Sequence, residues 1–225
     1  MSLHTIQVIH YVALGVMTCV YVLRIRWFLK FPAGKERQPP TGTGSLKPTR
    51  SIWYSWFNVA NPTGMEAYRK HWFLYVQFVV FHLGIVAAIA MSFVIADFSS
   101  LMKSSAVTLV FQISLWGACG VGVLRIIRRV GNKHMRAISS PDDYFSLVLL
   151  TVWFAMAALA AGFGAPERQA AGNTILIFYY SVQTFFLLYV PFSKISHYLY
   201  YPFTRYYLGK TLGRRGVYPL EGRSA

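Results

Sequence analysis

The sequence predicts an all-α integral membrane bundle of five transmembrane helices, and three observations predict it. Hydrophobic residues make up 55% of the 225-residue chain and charged residues only 13%, whereas soluble domains carry about 25% charged residues. Five apolar stretches reach the length of about 20 residues that a helix needs to cross the hydrocarbon core. The basic residues are also sorted. Nine Lys/Arg lie from Arg24 to Lys70, five from Arg125 to Arg136 and six from Lys194 to the C-terminus, against Lys103 and Arg168 alone in the other two connections. By the positive-inside rule the basic side is cytoplasmic, which puts the N-terminus outside and the C-terminus inside. The net charge of +15 is therefore a topology signal first. It also suits anionic lipid or an acidic cytoplasmic partner, and gives no reason to expect nucleic acid.

The first span, about Thr5–Trp27, lacks a basic n-region and a small-residue cleavage site, so it reads as an uncleaved helix. A cytoplasmic loop follows over 28–71. Its first part, FPAGKERQPPTGTGSLKPTR, is irregular by its Pro and Gly content. Its second part, SIWYSWFNVANPTGMEAYRK, predicts a short interfacial helix carrying Trp53, Trp56 and Phe57, stopped near Asn61-Pro62. That helix suits a headgroup-level aromatic anchor and a docking surface for a partner subunit alike.

The second and third spans are about Trp72–Ala96 and Ala106–Ile127. SSPDDYFSL then starts a helix: Ser140 caps, Pro141 suits the first turn, and Asp142 and Asp143 favour the positive end of the dipole. That pair of carboxylates reads as capping rather than catalytic. The fourth span is about Tyr144–Gly162 and the fifth Thr174–Ile195, with a cytoplasmic tail over 196–225, all in a single membrane domain. Cys19 and Cys119 sit alone in predicted helices with no CxxC, so the chain has no iron–sulfur or zinc framework and the two read as small apolar packing residues. With no Gly-rich phosphate loop, no Ser/His/Asp set and no intramembrane carboxylate relay, hydrolase and nucleotide chemistry lack support.

The histidines carry the functional signal, because an ionisable residue within a span is costly. Six exist: His4, His10, His71, His82, His134 and His197. His82 lies about ten residues into the second span. Gly84 beside it lets a flat macrocycle approach the backbone. His71 falls within about 20° of the same helix face as His82, but next to Arg69 and Lys70 at the water interface. His197 closes the fifth span on the cytoplasmic side. Two imidazoles on antiparallel helices suit bis-histidine ligation of a haem, which favours electron transfer because no axial position stays open. Lys194, Arg69 or Lys70 suits a propionate. The competing reading of His82 and His197 is two structural histidines bonded to backbone carbonyls.

The element PFSKISH after the fifth span, with FHLGI in the second, resembles the membrane cytochrome b subunit (gamma subunit) of respiratory nitrate reductase. It is also similar to the membrane subunits of heterodisulfide-reductase-like and sulfite-reduction-associated complexes. The likeness covers about Arg69 to Arg205, and the long aromatic loop from Phe28 to Lys70 departs from it. The resemblance implies b haem held between the second and fifth helices, membrane quinone as substrate, a cytoplasmic iron–sulfur subunit as partner, and a prokaryotic cytoplasmic membrane. His82 and His197 match one ligand pair. The second pair would fall at Ser92 and Tyr179, neither of which is histidine, so one haem is implied and one lost. Ser92, Tyr179 and Tyr180 then become candidates to bind quinone through their hydroxyls. A third reading keeps a second haem with His71 or His10 recruited. The rival from another class is a non-redox membrane anchor or small transporter with structural histidines.

Overall fold

In hydrocarbon every backbone N–H and C=O must find its partner within the segment, and a helix achieves this for an apolar run. The computed structural model describes residues 2–32, 39, 41–42, 48–61 and 69–218. It is 86% helical, with no strand among the described residues. In chain order the helices are α1 (Leu3–Leu29), α2 (Pro48–Phe57), α3 (Trp72–Asp97), α4 (Ser105–Gly131), α5 (Lys133–Ala137), α6 (Pro141–Ala161), α7 (Pro166–Gln169), α8 (Asn173–Tyr189) and α9 (His197–Arg214). Five helical segments among the described residues are long and apolar enough to span a membrane: α1, α3, α4, α6 and Asn173–Phe192. The chain is a multi-pass membrane protein of the predicted class, with span limits within a few residues of those read from hydropathy.

The fifth span is where local chemistry departs from expectation. Pro191 has no N–H to extend the α-helix. The chain tightens instead into a 3-10 turn, Val190–Phe192, passes through extended Ser193 (φ −105°, ψ 171°) and makes a second turn over Lys194–Ser196. His197 therefore does not close the fifth span. It opens α9, an 18-residue helix lying in the segment expected to be a tail. The interfacial helix is α2, followed by the 3-10 turn Asn58–Ala60 and extended Asn61 (φ −95°, ψ 107°), as the Asn-Pro pair predicts.

The backbone separates into two compact units, Met1–Val20 with Val76–Ile195, and Tyr21–Tyr75 with Ser196–Ala225. In the first unit Trp153 of α6 is fully buried, stacks on Phe186 of α8 at 4.3 Å and donates its indole N–H to the Gln183 side-chain oxygen. Phe154 meets Phe81 of α3 edge-on at 5.2 Å. The Arg125 guanidinium lies over the Phe81 ring, 4.5 Å from its centroid. Lipid tails are as apolar as leucine, so such spans associate through packing and interhelical hydrogen bonds, and small residues at the seams allow it. Gly122 of α4 sits against the Thr151 side chain of α6 in this way.

In the second unit α2 and α9 form a close pair. Ser51 and Ser55 are buried one turn apart on α2, and Gly209 and Gly213 one turn apart on α9. A Cβ on Gly209 would stand 2.6 Å from the Ile52 Cα and 2.8 Å from the Ser51 carbonyl oxygen, so only glycine admits this approach. Polar bonds fix the register: Trp56 Nε1–H donates to the Pro202 carbonyl at 2.9 Å, and the Tyr201 hydroxyl to the Trp56 carbonyl at 2.8 Å.

Candidate functional site

His82 lies in the middle of α3, half-buried, with the Phe78 ring packed against it at 4.1 Å. Its Nδ1 is 2.7 Å from the Phe78 carbonyl oxygen, one helical turn back. A carbonyl only accepts, so Nδ1 carries the proton and the lone pair of the neutral ring is on Nε2. Metal-bound histidines are oriented by the same kind of bond, which fixes the tautomer and raises the basicity of the ligating nitrogen. The side chain present thus fits an axial ligand. It also fits a structural histidine bonded to its own helix, which is the competing expectation.

The supporting residues do not behave as the sequence suggests. Gly84 is buried, but its missing Cβ is filled by Ala118 of α4, into which a methyl group would run. It serves the α3–α4 seam and leaves no approach for a macrocycle at that point. Lys194 is engaged too. Its Nζ lies 3.0 Å from Asp143 Oδ1 and 2.8 Å from Ser140 Oγ. Asp143 accepts the Ser140 backbone N–H at 2.7 Å, as a cap should, and stands 3.9 Å from Arg129. Asp142 accepts from the Tyr189 hydroxyl at 2.5 Å. The carboxylates therefore cap α6 and also tie it to α4 and to the end of the fifth span. Nothing in the sequence pairs Lys194 with residues some fifty positions earlier.

His197 belongs to the second unit, exposed at the first position of α9. Arg69 and His71 are in the same unit, both exposed just before α3, and the His71 carbonyl accepts the Leu74 N–H at 2.9 Å. Beside His197, the Tyr198 hydroxyl shares a 2.5 Å hydrogen bond with Tyr21. Desolvation holds the Tyr198 phenol above its usual range, partly offset by that bond, so it stays neutral at physiological pH. His4 and His134 are exposed. Among the described residues no three His, Cys, Asp or Glu side chains gather as a metal site.

The three quinone candidates do come together, on α3 and α8 of the first unit. Tyr179, Tyr180 and Ser92 are all buried. Yet their hydroxyls are already used: Tyr179 donates to the Ala88 carbonyl at 3.4 Å, Tyr180 to the Ser92 carbonyl at 3.2 Å, and Ser92 to the Ile89 carbonyl at 2.8 Å. The aromatic rings fill the space where a second ligand pair would stand.

Next to them is His10 of α1, only 1% exposed, with neither ring nitrogen hydrogen-bonded among the described residues. Its ring meets Tyr180 edge-on and Tyr11 at a tilt, each at 5.4 Å between centroids. The Tyr11 hydroxyl donates to Asp97 Oδ2 at 2.7 Å, and the Asp97 carboxylate acts on His10 electrostatically. Tyr11 and Asp97, the last residue of α3, are the members of this group that the sequence did not single out, Asp97 because it reads there as the polar end of a span. Compared with protein-family models, with curated proteins and with solved structures, the chain matches none.

Proposed function

We propose that this chain is the haem b-carrying membrane subunit of a quinone-linked respiratory complex in a prokaryotic cytoplasmic membrane. It would pass electrons between membrane quinone and a cytoplasmic iron–sulfur subunit. The observation that carries the reading is His82: an imidazole in mid-span, its Nδ1–H bonded to the Phe78 carbonyl one turn back in the way that orients ligating histidines. His197, exposed at the start of α9, is the second residue that would hold the haem. A b haem, when bound, supplies one-electron exchange. The protein's part would be to hold it through the His82 and His197 imidazoles, with the Phe78 ring packed on that of His82. Gly84 and Lys194 have no place in this proposal, since both are committed to helix seams. The carboxylate pair at Asp142 and Asp143 has none either.

The test is a reduced-minus-oxidised absorption spectrum of the purified protein with a haem-to-protein ratio. The expected result is a b-type spectrum at a ratio near one. No chromophore would leave His82 as a structural histidine and the chain as a non-redox anchor or transporter. A ratio near two would require a second ligand pair. The partner side is proposed from charge: twenty of the 22 Lys/Arg lie on the face that also carries α2 and α9 by the positive-inside reading. Cross-linking from Trp53 and from the basic loop after Ile127 should capture an iron–sulfur subunit.

A further inference from the structure

Unpaired polar atoms buried in hydrocarbon are costly, and an imidazole in a span with two of them among the described residues needs an explanation. His10 is that residue. Exposed Val8, Ile9 and Val12 flank it on α1 and make the approach to it apolar. The polar groups around it are Tyr11 and Asp97, which bond each other, and Tyr180, whose hydroxyl is engaged by the Ser92 carbonyl and by the Gln7 side chain of α1. A partner that reaches this imidazole from the membrane is lipid-soluble, flat enough to lie beside tyrosine rings, and able to accept from the N–H or donate to the lone pair. A neutral imidazole offers one N–H and one lone pair. A quinone presents a carbonyl to the N–H, and its hydroquinone presents a hydroxyl to the lone pair, so one ring serves both redox forms by exchanging tautomers.

We infer that His10 is the hydrogen-bonding anchor of a quinone or hydroquinone head group, bound where α1 meets the Tyr180 and Asp97 end of the first unit. The inference rests on the quinone-linked reading above and relocates its substrate from the tyrosine hydroxyls to the imidazole. Tyr180 contributes its ring and Asp97 its charge, while neither supplies the direct bond.

The experiment uses the full-length protein in quinone-free lipid nanodiscs, titrated with a short-chain naphthoquinone. Binding is read by quenching of tryptophan fluorescence, and the bound carbonyl by infrared difference spectroscopy. The wild-type protein should bind saturably with a lowered carbonyl stretch. His10→Phe, which keeps a ring against Tyr180, should weaken binding at least tenfold and remove the carbonyl shift, with an unchanged haem-to-protein ratio. His10→Gln keeps a donor and an acceptor and should stay within about threefold of wild type; it decides the matter if His10→Phe does not fold. Tyr180→Phe should change affinity less than threefold. Unaltered affinity in His10→Phe overturns the inference, as does loss of binding in a folded His10→Gln or a wild type that shows no saturable binding, which would make the occupant a buried water. A fall in haem content in His10→Phe also overturns it and makes His10 an axial ligand. Naphthoquinone binding at His10 in a protein without haem would sustain the site and sink the haem reading alone.

Discussion

At the scale of single residues the chain separates histidines by what their nitrogens meet. His82 turns Nδ1 to its own helix, His71 and His197 are exposed, and His10 is buried with no bond to either nitrogen among the described residues. If His82 and His197 are axial ligands, His82→Ala and His197→Ala will each abolish stable haem, since a b haem is held only by those bonds and by packing. His71→Ala will leave the spectrum unchanged. Bleaching by His71→Ala with retention in His82→Ala would invert the pairing, and an absorption spectrum at equal protein concentration decides it. Gly84 gives a second prediction. Adding one methyl group against Ala118 overpacks the seam, so Gly84→Ala should cost about 1–3 kcal/mol in thermal unfolding in detergent. Ala118→Gly in the same chain should recover most of it. A Gly84→Ala protein of normal stability that has lost only its haem would restore the cofactor role first expected of this glycine.

Among helices, the strongest departure from hydropathy lies at Val190–Ser196. An apolar count runs straight through it, because valine, phenylalanine and isoleucine look alike in a window average, while a proline's missing donor acts at one bond. That is why the five spans were legible and the break before α9 was not. The capping of α6 was legible for the converse reason: Ser-Ser-Pro-Asp-Asp is a local signal, complete within one turn. Its ion pair with Lys194 is a long-range fact and left no local trace. Because the Lys194 side chain is 60% exposed, the pair should contribute only about 0.2–1 kcal/mol. A double-mutant cycle of Lys194→Ala with Asp143→Asn, read by thermal unfolding, should show that coupling in low salt and lose most of it in high salt. Equal coupling at both ionic strengths would mean the contact is better shielded than its exposure suggests.

For the whole molecule, composition and the length of the apolar runs carry the class, and five helices long and apolar enough to span among the described residues agree with it. The proposed orientation makes a further prediction. A reporter fused after Tyr218 should be active only in the cytoplasm, and one fused before Leu3 only outside; the reverse pattern would move the partner subunit to the other side of the membrane. The candidate site was less legible than the fold. His82 stood out because a titratable group interrupts an apolar run. The His10 group did not, because its members lie on α1, α3 and α8 and meet only after those helices pack.

The α2–α9 seam also sets a timetable for biogenesis. Trp56 leaves the ribosome 146 residues before Pro202, its hydrogen-bond acceptor. At about 5–20 residues per second, α2 waits roughly 7–30 s for its seat to be made. Throughout that interval the serine face that admits Gly209 has no occupant, and the amphipathic helix has only the membrane surface or a chaperone to shelter it. Stalled chains arrested before residue 197 should therefore be cut by protease within α2, and chains arrested after residue 218 should be protected there, a difference that pulse-labelling with limited proteolysis would read directly.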